Sequence, residues 1–424
     1  MFCRRALAGR SRGAEMAKRV LFFGIFDVEG GYPRARSLEA GLSEHGVEVV
    51  KMRVDALPKR GERLQLVRQK RRWPDAFWRL LGARKQLRDQ LRSYLRTEQV
   101  DALLVPYPGW FAIPWLRGIW DGPIVLDLFL SLYDTAVCDR QIFKPKSLAA
   151  RMLRRFDRKA CQRADLTLLD TPEHANFVAE LTGLPRDLFA FVPVGDPDAP
   201  EAAFPLPPWP DSERLPVLYC GTGVPLHGLD TLLAAVARCE RASLTVVGGT
   251  PEFRAQARAL GEERVQLREE WVSGAALREY FASHWVHVGI FGESPKAQRV
   301  VPLKVVHALG CGRSVITGDS SSVNTLLAPG SDCMTVPMGN VVALARAFDA
   351  VAESESILRS IGQRARRSYD RMFSPWAIGR RLLIHLENVT GSTWLPEDSP
   401  ILRSEACRPV DDVLLQESLA SIRS

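Results

Sequence analysis

The sequence has no C-x-x-C pair, no G-x-G-x-x-G and no long unbroken apolar run, and each absence removes a class of protein. Its eight cysteines (3, 138, 161, 220, 239, 311, 333 and 407) are scattered, which argues against a zinc site or a disulfide framework. Free thiols in a reducing cytoplasm are the simplest account. The longest uncharged apolar stretch, Ala102 to Leu116, is broken by Pro106, Pro108 and Pro114 and is too short to span a bilayer. The basic start, MFCRRALAGRSRGAEMAKR, lacks the apolar core of a secretory signal or an anchor. Met16, just ahead of the first strand, is an alternative start. Neither a metal-ligand cluster nor a nucleic-acid-binding module is recognisable.

What is present is a chain of 424 residues, 46% hydrophobic and 25% charged, long enough for two α/β domains with sizeable cores. The net charge of +8 is local. Between Lys59 and Arg96 stand 13 Lys/Arg and 3 Asp/Glu, so the rest of the chain is close to neutral. Trp73, Phe77, Trp78, Leu80, Leu81, Leu87, Leu91, Tyr94 and Leu95 interleave with those cations at helical spacing. That pattern suits a surface lying on an anionic bilayer, and equally a solvated helix whose apolar stripe faces its own domain. Nucleic acid ranks below both.

The chain opens with RVLFFG (19–24), a strand of the buried parallel type, then a loop with Gly30 and Gly31 and a helix carrying Leu38 and Leu42. VEVVKMRV completes a βαβ unit. DALLVP and PIVLD are further strands. The second runs into a polar cluster of Asp127, Ser131, Tyr133, Asp134, Asp139 and Arg140. Ligands of open α/β sheets bind beyond the carboxyl ends of strands. Asp127 and Asp134 are therefore candidates for acceptor binding or proton transfer, against the plainer reading of capping and ion pairing, Asp139 with Arg140 or Arg151. After the strand DLTLLD, Asp170 or Thr171 caps a helix that holds His174.

Eight prolines between Pro193 and Pro216 mark an extended linker and the domain boundary. The α/β rhythm then restarts with VLYCG, the loop TGVPLHG and the helix LDTLLAAVARC. The expected organisation is an extension (1–17), a first domain (18–195), the linker (196–214), a second domain (215–372), a C-terminal helix (373–390) and a tail (391–424).

The stretch from Gly289 to Asp319, GIFGESPKAQRVVPLKVVHALGCGRSVITGD, organises the second half. It predicts a strand over 286–291, a polar loop with Lys296 and Arg299, a helix from about Leu303 to Leu309 with Lys304 in its first turn, and another strand. Backbone N–H groups at a helix N-terminus, with fixed cations beside them, form a site for an anion such as a diphosphate. Gly221 and Gly223 would let a ligand approach the first loop closely.

These pieces, in this order, resemble the nucleotide-sugar-binding half of retaining glycosyltransferases of the GT-B fold, close to family 4, over most of 217–372. LHGLDTLL, GIFGESPKAQRVVPLKVV and VITGD, with YPR and LSLYDTAVCDR in the first half, are closer still to a bacterial subgroup acting in polysaccharide or glycolipid assembly. The resemblance implies two Rossmann-like domains, an interdomain cleft and a C-terminal helix crossing back onto the first domain. It implies transfer of a sugar from a nucleoside diphosphate sugar to a glycan or lipid-linked acceptor, with no cofactor or metal, by a cytoplasmic protein peripheral to the inner face of the membrane. Carried over, Lys304, Arg299 and Lys296 meet the diphosphate, Gly221, Thr222, Gly223 and His227 form the first loop, His307 faces the ribose and Glu293 lies near the sugar. The chain departs from the family pattern where two glutamates are usual: Arg299 and His307 stand there. Thr222 or Gly223, and His227, stand where an Arg and a Lys are common. An epimerase or hydrolase, and a non-catalytic binding subunit, are the alternatives on the same architecture.

Overall fold

The computed structural model describes residues 17–26, 33–56, 73–210, 214–268, 272 and 274–395. Gly30, Gly31, the basic run before Trp73 and the tail beyond Leu395 lie outside them.

The first half alternates β1 (Arg19–Gly24), α1 (Arg34–Glu44), β2 (Glu48–Arg53), α2 (Trp73–Tyr94), β3 (Ala102–Val105), α3 (Ile113–Leu116), β4 (Ile124–Asp127), α4 (Leu148–Cys161), β5 (Leu166–Leu169), α5 (Pro172–Thr182) and β6 (Phe189–Phe191). The strands form one sheet in the order β2-β1-β3-β4-β5-β6, every pair parallel. Both faces are covered, which is why these strands read as continuous apolar runs. Val20 and Phe22 face α1, while Leu21 and Phe23 face α2, α4 and α5.

The second half runs β7 (Leu215–Gly221), α6 (Leu229–Arg238), β8 (Ala242–Gly248), α7 (Pro251–Arg258), β9 (Val265–Leu267), α8 (Gly274–Ser283), β10 (Val286–Val288), α9 (Leu303–Gly310), β11 (Ser314–Gly318), α10 (Ser321–Leu326), β12 (Met334–Val336), α11 (Val341–Ala352) and α12 (Glu355–Met372). Its sheet is also parallel, ordered β12-β11-β10-β7-β8-β9. The order reverses between β7 and β10, so a crevice opens beyond the carboxyl ends of those two strands. The strand expected to reach Phe291 stops at Val288. Beyond it the Phe291 and Gly292 amides turn to the first glycine loop, donating to His227 and Leu226 carbonyls at 3.1 and 3.2 Å.

A proline-rich linker leaves carbonyls without strand partners. Two arginines satisfy them. Buried Arg313 donates to the carbonyls of Phe204 and Pro205, and Arg366 to those of Pro200 and Glu201. The last helix, α13 (Pro375–Thr390), returns to the first domain and lays Ile378, Leu382, Leu383 and Leu386 against Val20, Phe22, Leu38 and Leu42. Glycines let it touch α1: a Cβ at Gly379 would sit 1.9 Å from the Gly41 carbonyl oxygen.

Candidate functional site

Four residues converge at the carboxyl end of β7. Gly221 has φ +150, and a Cβ there would lie 2.9 Å from the His227 ring, 3.1 Å from Lys304 Nζ and 3.2 Å from the Tyr219 hydroxyl. Only a residue without a side chain leaves this space open. Lys304 enters from the first turn of α9. Its Nζ sits 4.2 Å from the centre of the Tyr219 ring, is buried, and has no hydrogen-bond partner among the described residues. Burial pushes its ammonium down to about 8, with the neighbouring Cys220 acting weakly the other way. Tyr219 Oη and His227 Nδ1 share a 2.8 Å hydrogen bond. Burial first, and Lys304 second, push His227 down to about 2, so this imidazole is neutral. The result is a buried cation, a neutral histidine and an open glycine, a set suited to an anion. Thr222 and Gly223 continue the loop, and Gly223 (φ +77) packs against Thr250 and Leu229.

Lys296 and Arg299 are placed differently from Lys304. Arg299 donates to Asp134 Oδ1 of the first domain at 2.7 Å, and Lys296 Nζ lies 3.4 Å from Asp134 and 3.6 Å from Asp139. The Arg299 guanidinium covers the Phe177 ring at 3.7 Å. Thr171 caps α5 through the His174 amide and also donates to the Arg299 carbonyl at 2.6 Å. On the same seam Glu173 accepts from Ser322 and Thr325. These two cations join the domains.

The acids expected in the first domain are likewise engaged. Asp134 is buried between Arg299, Lys296 and His174, whose Nε2 stands 3.9 Å from it. Its loop is held by Asp157, which accepts from Ser131 Oγ and the Leu132 and Tyr133 amides, while burial pushes Asp157 up to about 6. Asp139 pairs with Lys296, not with Arg140 or Arg151. Asp127 is fully buried and accepts from Arg34 Nε at 2.9 Å. Burial raises its pKa, against the pull of Arg34. The same guanidinium bonds the Val192 and Pro193 carbonyls, so Asp127 and Arg34 anchor β4 to the start of the linker. That setting corrects the reading of Asp127 as a group reaching an acceptor hydroxyl. Asp170 holds His174 Nδ1 at 2.6 Å and does not cap.

His307 lies on α9 one turn beyond Lys304. Its Nδ1 is 2.5 Å from Asp196 Oδ2 in the linker, so the ring donates Nδ1–H to the carboxylate and its orientation is fixed. Glu293 is exposed, its carboxyl lying over Gly339.

Residues 214–354, which carry this crevice, match the model of the glycosyl transferases group 1 family. No curated protein matches the chain. Solved structures resemble it throughout both domains. They include sucrose-phosphate synthase from Thermosynechococcus elongatus (17% identity, TM-score 0.65, 88% of this chain and 100% of that one). Anabaena HepE in complex with UDP-glucose follows at 14% and 0.60, covering 87% and 99%. The lipopolysaccharide outer core galactosyltransferase WaaB stands at 14% and 0.58, covering 86% and 98%. The fold is GT-B, and the residues that match the group 1 model lie in its second half.

Tyr219 and Asp196 escaped the sequence reading, although one signal existed. A tyrosine inside a strand buried on both faces, VLYCG, needs a partner for its hydroxyl, and the polar residue eight positions on supplies it.

Proposed function

We propose that this protein transfers a sugar from a nucleoside diphosphate sugar to a polysaccharide or lipid-linked acceptor, with retention at the anomeric carbon. The observation that carries the reading is Lys304: a buried ammonium without a partner, aimed over an open glycine at the reversal point of a parallel sheet. Burying such a charge unpaired is costly, and a doubly charged diphosphate would offset that cost.

Glycosyl transfer has an oxocarbenium-like transition state and expels the nucleoside diphosphate. The group that matters most is therefore the one that meets charge growing on the leaving phosphates. Lys304, the amides of the Gly221–Gly223 loop and the N-terminus of α9 fill that role. His227, neutral and held by Tyr219, donates from Nε2 without adding charge. His307, oriented by Asp196, hydrogen-bonds a ribose hydroxyl. Arg299 and Lys296, joined to Asp134 and Asp139, set the angle between the two domains.

The test is calorimetry with UDP-, GDP- and ADP-sugars, followed by donor consumption with and without lipid acceptor. Consumption only with acceptor supports transfer. Consumption without it would indicate a hydrolase or epimerase, and binding without consumption a non-catalytic subunit. A Lys304→Ala variant that keeps normal turnover would sink the assignment.

A further inference from the structure

Leu148 and Met152 are the most exposed large apolar side chains of the described residues, at 76% and 72%. They stand four positions apart, hence on one stripe of the first turns of α4. Ile142, in the loop before them, is also exposed. From Gln141 to Arg163 there are eight Lys/Arg and one acid. That acid, Asp157, is buried beneath Ser131 and offers nothing to solvent. Arg154 and Arg158 turn to the carbonyls of Leu181, Thr182 and Gly183. The side chains of Lys144, Lys146, Arg151 and Arg155 are exposed and make no hydrogen bond or ion pair among the described residues.

A second patch of the same kind stands on α2. Trp78 is 69% exposed and Leu81 is exposed beside Arg79, Arg84 and Lys85, while Ala83, Leu87 and Leu91 face inward. Both helices cover one face of the first sheet, for Ala83 and Leu87 of α2 share a core with Ala160 and Cys161 of α4. Each connects two parallel strands, so each begins at the carboxyl edge of the sheet. The two patches therefore share one rim, the edge from which Asp134 reaches the second domain.

We propose that this rim rests on an anionic bilayer, with Leu148, Met152 and Trp78 entering the headgroup layer and the surrounding Lys and Arg meeting lipid phosphates. Charge complementarity is strongest on α4, where Lys144, Lys146, Arg151 and Arg155 are exposed and the one acid is buried; on α2, exposed Arg79, Arg84, Lys85 and Arg92 outnumber the exposed acids Asp75 and Asp89. A folded nucleic-acid surface would have no use for the exposed Leu and Met, whereas an interface does. None of the described helices is long and apolar enough to cross a membrane, so contact would be peripheral. If the glycosyl-transfer reading holds, the first domain's cleft edge then lies at the headgroup plane, and the acceptor is lipid-linked.

The experiment is vesicle flotation of the full chain without donor. Neutral phosphatidylcholine vesicles are compared with vesicles in which roughly a third of the lipid is phosphatidylglycerol. The expected result is binding to the anionic vesicles only, with partitioning about tenfold lower for Leu148→Glu/Met152→Glu and about fivefold lower for each cation removed in Arg151→Gln and Arg155→Gln. Donor affinity, measured by calorimetry without vesicles, stays unchanged in the Leu148/Met152 variant, which shows that it folds and separates this outcome from failure of the donor reading. Absence of wild-type binding to anionic vesicles at about 0.1 M salt, or equal binding by the Leu148/Met152 variant, overturns the proposal. So does displacement of the wild type from vesicles by duplex DNA at equal phosphate concentration.

Discussion

Arg299 of the second domain donates to Asp134 of the first at 2.7 Å, and the two side chains are 13% and 1% exposed. In a cleft this bond does two things. It holds the domains at one angle, and it removes Arg299 from the cations free to meet a ligand. Removing one partner of a buried pair strands the other. Asp134→Ala is expected to destabilise the chain by about 3 kcal/mol in urea unfolding, because Arg299 and Lys296 lose their counter-charge. The Asp134→Ala/Arg299→Ala double variant should lose clearly less than the sum of the singles. Strict additivity would show that the pair is not coupled.

Lys304→Met replaces the buried ammonium with an uncharged chain of similar length. Donor binding should vanish in calorimetry, yet the protein should gain roughly 2 kcal/mol of stability at pH 7. The sign follows from the direction of the shift. A lysine pushed down to about 8 in the folded state disfavours folding while it is charged. That penalty is complete below about 8 and fades as the pH rises towards the ordinary lysine value. The advantage of the variant over the wild type should therefore shrink across that alkaline window. An advantage constant with pH would assign the gain to packing instead.

Donor affinity should follow the same group in the opposite sense. Tyr219, Cys220 and His227 surround Lys304, and burial keeps all three neutral from mildly acidic to mildly alkaline pH. Lys304 is then the titrating member of the four. Affinity for a nucleoside diphosphate sugar is expected to be flat below about 8 and to fall up to about tenfold per pH unit above it. Lys304→Arg should remove the break or move it beyond the measurable range. A break that survives this change belongs to another group.

Gly379→Val tests the contact between the last helix and α1. A Cβ at this position meets the Gly41 carbonyl at 1.9 Å, with backbone on both sides, so the helices must separate. An expected cost of about 3 kcal/mol follows from overpacking. Thermal unfolding would show the loss, and an unchanged midpoint would mean that α13 can slide on α1.

The architecture was largely legible because its signal is local. RVLFFG, SLTVVGG and RSVITGD carry VLFF, LTVV and VI without the polar alternation of a half-exposed strand, as suits strands covered on both faces. The C-terminal helix expected over 373–390 runs from Pro375 to Thr390, its first turn capped by the Ser374 hydroxyl. Lys304 was legible for a similar reason, since its place in the first turn of a helix is set by neighbours in sequence. Which cations stay free was not. Arg299 and Lys296 lie in a loop like any phosphate-binding loop, and their partners Asp134 and Asp139 are more than 150 positions away. The Asp196–His307 and Arg34–Asp127 pairs cross 111 and 93 positions. No periodicity encodes such contacts. The two readings of the segment around α2 stayed open because one helix carries both: Leu87 and Leu91 face the core and Trp78 faces out.

The return of α13 sets an order of events during synthesis. Val20, Phe22, Leu38 and Leu42 belong to the part of the chain made first, yet the helix that covers them is made after both sheets. At ribosomal rates the interval is on the order of tens of seconds. For that time the first domain presents a wide oily face to the cell. A nascent chain stalled before Pro375 keeps that face open, and should accumulate on holding chaperones or in inclusion bodies even though every strand of both sheets has been made.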